Sequence, residues 1–191
     1  MTSGIHHITL ITRKVQANVD FYVGFLGLRI VKQTGGFEDA EQLHLFYGDR
    51  SGTPGSLITF LVWEDGSKGR VGHGQISEIA LAIDRTAIGF WLERALRYHV
   101  PSEGPVQEFG EPVLRLRDPD GVIVKLVGCD LAANDAWESE GIPAAFAVRR
   151  LRAATILSEA PEQTAGFIGR YFGFKPSAKE GTIDRLLSDS G

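Results

Sequence analysis

A single cysteine, Cys129, stands in 191 residues, so no internal disulfide can hold the fold. That suits a reducing cytoplasm and excludes the cysteine-stapled secreted scaffolds. With no activating neighbour in the sequence, this thiol reads as packing rather than catalysis. Positive charge is not in excess either: 20 Lys and Arg stand against 24 Asp and Glu, a formal net charge of −4. The basic residues are scattered among acids, so no stripe gathers phosphates, and nucleic acid is excluded as a partner. Long apolar runs are missing as well. None approaches the roughly 18 residues that span a bilayer, and the start MTSGIHHITL lacks the basic-then-apolar order of a signal peptide. What remains is globular material, 43% hydrophobic and 23% charged, enough for one large domain or two small ones.

The chain repeats itself. IHHITLITRKVQANVDFYVGFLGLRIV reads as a strand, a helix with apolar Val19, Phe21, Tyr22, Phe25 and Leu26, a stop at Gly27, and a second strand. VRRLRAATILSEAPEQTAGFIGRYFGF follows the same plan without a gap, Phe167 matching Phe21 and Gly173 matching Gly27 at a common offset of 146. Between them, Ile76 to Ile83 reads as a strand and Thr86 to Tyr98 as a helix, with Ile88, Trp91, Leu92, Ala95 and Leu96 at helical spacing. Hairpins close the first two units: Leu43–Tyr47 and Leu57–Trp63 flank GDRSGTPGS, and Val113–Arg117 and Val122–Val127 flank DPDG. The expected fold is α+β, tandem βαβββ units whose mixed, curved sheets form a cleft. Its first unit covers residues 1–63, a linker 64–74, the second unit 75–128, a linker 129–147, and an incomplete third unit 148–191. A lone curved sheet cannot close its own concave face, so such units pair. The third runs out at LLSDSG after its third strand. The reading therefore expects either a truncated protein or a partner element over the edge at Leu186 and Leu187, and hence self-association.

Alternation on the first strand puts His6 and His7 on opposite faces, His7 beside Ile5 and Thr9 toward the cleft and His6 beside Ile8 and Leu10. A neutral imidazole on a concave face suits Fe(II), Mn(II) or Zn(II), although from the spacing alone a strand-end histidine bonded to backbone is the plainer reading. The positions equivalent to His7 are Glu78 and Ala153. Glu78 lies in the apolar run ISEIALAI, where an unpaired carboxylate is costly, so it binds a cation or meets an arginine. Lys125 in the last strand of that unit argues against a metal there. His44, in QLHLFYGD, suits acid–base work or a hydrogen bond to a phenolic oxygen, with a structural histidine as the plainer alternative. His73 reads as solvated, and His99 as the end of a helix.

The runs GIHHITLIT, QANVDFYVGFLGLRIVKQT, HLFYGDRSGTPGSLITF, GHGQISEIALAI and DPDGVIVKLV resemble the vicinal oxygen chelate (glyoxalase/bleomycin-resistance/extradiol dioxygenase) superfamily. Within it they are similar to the N-terminal part of the hydroquinone-type ring-cleaving dioxygenases. The resemblance implies the vicinal oxygen chelate fold and a cytoplasmic enzyme that opens a hydroquinone or catechol ring with O₂ at one Fe(II) or Mn(II). It implies that the second histidine of HHIT, His7, is a metal ligand, with a His and a Glu from a fourth unit completing the set. Glu78 matches no ligand position, and His44 is left as the catalytic, substrate-contacting residue. The implied partners are a small aromatic diol and O₂, with neither nucleic acid nor membrane. Two alternatives use the same units: a metal-free small-molecule-binding protein of the bleomycin-resistance type, and a glyoxalase-like isomerase.

Overall fold

The computed structural model describes residues 4–36, 41–131 and 137–189; the stretch 132–136, inside the expected second linker, lies outside them. The first strand, β1 (His7–Thr12), leads into a short helix, α1 (Val15–Val19), which widens to a π-helical stretch over Asp20–Phe25. Gly27 then turns the chain at φ 72°. A side chain there would adopt a left-handed conformation, and its Cβ would collide with the side chains of Ser139 and Ile142. Strands β2 (Arg29–Gly35), β3 (Leu43–Gly48) and β4 (Leu57–Val62) follow, in a four-stranded sheet of order β1-β4-β3-β2. β1 and β4 run parallel and the other pairs antiparallel.

The plan then recurs. β5 (Ile76–Asp84) passes through a 3₁₀ turn at Arg85–Ala87 into α2 (Ile88–Arg97), and β6 (Ser102–Glu108), β7 (Glu111–Arg117) and β8 (Ile123–Cys129) complete a second sheet. β5 pairs in parallel with β8 as β1 does with β4. A third pass gives β9 (Arg150–Ile156), α3 (Pro161–Phe172), β10 (Lys175–Glu180) and β11 (Ile183–Leu187). β9 pairs antiparallel with β5, so the second sheet has five strands in the order β6-β7-β8-β5-β9. β10 and β11 form a separate hairpin.

Alternation divides each sheet into an inner and an open face. Ile8, Leu45, Tyr47, Ile58 and Phe60 are buried in one core with Ile79, Leu81, Ile83, Leu126 and the helix residues Tyr22, Phe25 and Trp91. Two polar contacts lock the first unit to the second. The guanidinium of Arg94, only 3% exposed, donates to the carbonyls of Gly24 (2.8 Å), Phe25 (2.9 Å) and Gly141 (3.1 Å). It thereby satisfies helix-end acceptors and places a cation at the negative end of the dipole. The DPDG turn docks on the first unit: Tyr22 Oη donates to Asp118 at 3.0 Å, and Thr12 Oγ1 donates to Asp120 at 2.6 Å.

Arg94 explains one departure from the helical pattern. Leu96, expected on the packed side of α2, is 67% exposed, while Trp91, Arg94 and Ala95 are buried. A buried, fully paired arginine has displaced the face by part of a turn.

Candidate functional site

The open face of the first sheet gathers the residues that the sequence singled out. Register places His7 and Thr9 of β1 beside Leu57 and Thr59 of β4. It places Phe46 of β3 opposite Thr59 and His44 opposite Leu61. Lys32 and Thr34 of β2 then face Phe46 and His44. His7 and Thr9 are exposed while Ile8 is buried, so His7 does face away from the core as expected. Thr59 donates its hydroxyl hydrogen to Thr9 Oγ1 at 3.0 Å.

His6 is not on the far side. Its Nδ1 lies 3.0 Å from His7 Nδ1 and the ring centroids are 5.1 Å apart. The first ladder pair is His7 with Leu57, so His6 precedes the pleat and its side chain is free of the alternation that would have separated them. One Nδ1 donates to the other. When His7 is the donor, its Nε2 carries the lone pair that a metal would take.

His44 lies within reach of the same surface. Its ring packs on Phe46 with centroids 4.2 Å apart, and its buried Nε2 has no hydrogen-bond partner. Burial, reinforced by the positive charge of Lys32 and by His7, holds its pKa below the ordinary imidazole value; the ring is therefore neutral at pH 7 and has a free acceptor or donor atom. Lys32 Nζ stands 5.3 Å from the centre of the Phe46 ring. Sequence reasoning did not find Lys32, because it belongs to the site only through the β2–β3 register.

The equivalent face of the second sheet is filled differently. Glu78 accepts from Arg115 Nε at 3.2 Å, from Lys125 Nζ at 2.8 Å and from Thr155 Oγ1 at 3.3 Å. Lys125 also reaches Glu108 at 3.0 Å, and Arg115 pairs with Glu108. Burial alone would raise the Glu78 carboxyl, but Lys125 and Arg115 hold it below the usual range. The cation that the sequence required for Glu78 is thus a pair of side chains. Four alternating charges occupy the ground where the first sheet carries histidine and threonine. Among the described residues no three His, Cys, Asp or Glu converge on one point as a metal set. His73, expected to be solvated, meets Glu159 at 2.7 Å.

A family model described as the Glyoxalase/Bleomycin resistance protein/Dioxygenase superfamily matches residues 4–126. The Bacillus subtilis protein named "Putative ring-cleaving dioxygenase MhqO" is 36% identical over 187 residues, 98% of this chain and 60% of that protein. The "Chlorohydroquinone/hydroquinone 1,2-dioxygenase" of Sphingobium indicum is 30% identical over 98% of this chain and 60% of its own length. A crystal structure described as a "putative dioxygenase" of B. subtilis superposes with a TM-score of 0.93 at 36% identity, covering all of this chain and 61% of that one. The chain thus spans about 60% of the length of the relatives it matches. A glyoxalase/bleomycin-resistance/dioxygenase domain from Frankia, 14% identical with a TM-score of 0.56, shares the fold.

Proposed function

The chain belongs to the glyoxalase/bleomycin resistance protein/dioxygenase superfamily, and from that premise we propose that it forms the N-terminal portion of a ring-cleaving dioxygenase. Its substrate is a hydroquinone or catechol, its co-substrate O₂, and its cofactor one Fe(II) or Mn(II). The observation that carries the reading is the open face of the first sheet, with His7 on β1 and with His44 and Lys32 against Phe46. We also propose the division into units at residues 1–63, 75–128 and 148–191, and a cytoplasmic location.

His7 would be one ligand of the metal, with the remaining ligands supplied from outside the described residues. Bound there, the metal would supply Lewis acidity toward a phenolic oxygen and O₂. The chain's own residues do the rest. His6 sets the tautomer of His7 through the contact between the Nδ1 atoms. Phe46 offers an aromatic face to the ring. His44, kept neutral, packs on Phe46 and backs the aromatic face that meets the substrate, and Lys32 places positive charge where the phenolate develops.

The test is metal content by elemental analysis after anaerobic purification from Fe(II)-supplemented cells, for this chain and for the chain extended to the length of its relatives. The extended protein is expected to hold about one Fe or Mn per molecule, and His7→Ala to lose it together with hydroquinone-dependent O₂ uptake. If neither protein binds metal, a metal-free small-molecule-binding protein replaces this reading.

A further inference from the structure

Away from the first sheet, the second sheet and the β10–β11 hairpin enclose an open cleft of about 290 Å³. β9 lends it Arg150 and Arg152, β11 lends Arg185, and β7 lends Glu111. The two β9 arginines stand two residues apart, so strand alternation turns both to the face opposite buried Leu151. Leu151 pairs with Leu81 and Ala153 with Ala80, which leaves Arg152 as the extra residue of a bulge. Arg150, opposite Ala82, and Arg152 both line the cleft.

The charges do not balance locally. Glu111 takes Arg152 at 2.9 Å and Arg185 at 3.3 Å. Arg152 Nε is buried without a hydrogen-bond partner, and Arg150 is exposed and makes no ion pair among the described residues. Asp130, the other acid on the rim, is drawn off by Arg85 at 3.0 Å. Three guanidiniums therefore face one carboxylate. The remaining wall is Ala82, Cys129, Leu131 and Leu187.

We propose that this cleft binds a small organic carboxylate with an apolar body. The carboxylate takes the exposed fork of Arg150, with Arg152 and Arg185 adding positive charge beside it, and the body rests on the apolar wall. Glu111 disfavours a compact dianion such as phosphate, and the apolar wall gives an inorganic ion nothing to bury. The site lies on the second sheet, so it does not depend on the metal reading of the first.

Isothermal titration of this chain with sodium benzoate tests the proposal, with benzamide as the neutral isostere and sodium phosphate as the inorganic anion. Benzoate is expected to saturate at one per chain with millimolar or better affinity, and benzamide and phosphate to bind at least about tenfold more weakly. Arg150→Gln, an exposed position, should weaken benzoate by about tenfold, and Glu111→Gln should tighten it severalfold by removing the competing carboxylate. A purely structural Glu111 bridge predicts no such gain. The proposal is overturned if benzoate fails to saturate by about 20 mM, if benzamide or phosphate matches it, or if Arg150→Gln leaves it unchanged. Should Glu111→Gln fail to fold, the Arg150 variant and the ligand series decide.

Discussion

Asp118 sits beneath the turn that joins the first two units, 5% exposed. Its Oδ1 accepts from the backbone N–H groups of Asp120 (2.9 Å) and Val122 (2.8 Å), and its Oδ2 from Tyr22. Burial outweighs these bonds and pushes its pKa from 3.8 up to about 6. The folded state therefore holds this proton more tightly than the unfolded one. The associated stability is fully present below the ordinary value and is lost as pH rises through about 6, a change of about 3 kcal/mol. Asp118→Asn preserves the geometry, with Oδ1 still accepting both amides and Nδ2 donating to Tyr22 Oη. Urea unfolding of both proteins at pH 4 and pH 7 should show the variant gaining on the parent by about 2–3 kcal/mol between the two. A difference independent of pH would refute the assignment.

The candidate site was partly legible for a related reason. Glu78 was noticed because a charge in an apolar strand demands a partner, and Arg115 and Lys125 answer that demand. Lys32 and the unpartnered His44 Nε2 went unseen because they arise from strand register, which a single chain does not spell out.

At the scale of elements, the three helix ends make a natural series. Two close on glycine at positive φ, Gly27 at 72° and Gly173 at 79°; after α2 the corresponding conformation falls on His99, at 55°. The chain there is tied by Val100 N–H donating to Ala95 O at 2.9 Å, so His99 must adopt the left-handed form despite its Cβ. The dipole role expected for its imidazole is a lesser matter than this backbone cost, about 1 kcal/mol. His99→Gly should raise stability by about 0.5–1 kcal/mol, a few degrees in Tm by calorimetry. An unchanged or lower Tm would mean that the His99 ring makes up the strain. Helix stops and hairpins were readable in this way because glycine and proline carry conformational instructions in one letter. β6, with the sequence SEGPVQE, and β10, with KPSAKE, were not. Most of their residues face solvent, so no apolar alternation marks them, and pairing alone makes them strands. The π-helical turn at Asp20–Phe25 likewise has no signal of its own in the apolar pattern.

At the scale of the molecule, the sheets differ at one edge. β5 is covered by β9 on the side away from β8, whereas its counterpart β1 ends the first sheet with only β4 beside it. Unpaired strand edges recruit other strands. The third unit adds an apolar surface: α3 buries none of its residues, and Phe167 and Tyr171 are 56% and 60% exposed with ring centroids 4.7 Å apart. Exposed aromatic pairs of this kind draw a covering partner. For this chain by itself the available partner is a second copy, so light scattering coupled to size exclusion should show a mass rising with concentration through the micromolar range. Phe167→Glu combined with Tyr171→Lys should move that distribution toward the monomer without loss of circular dichroism, since neither side chain is buried. If the unsubstituted chain is a monodisperse monomer at every concentration, neither the β1 edge nor the α3 face recruits a partner in solution. If it associates but the double variant does so equally, the contact is an open strand edge such as β1 and not the helix.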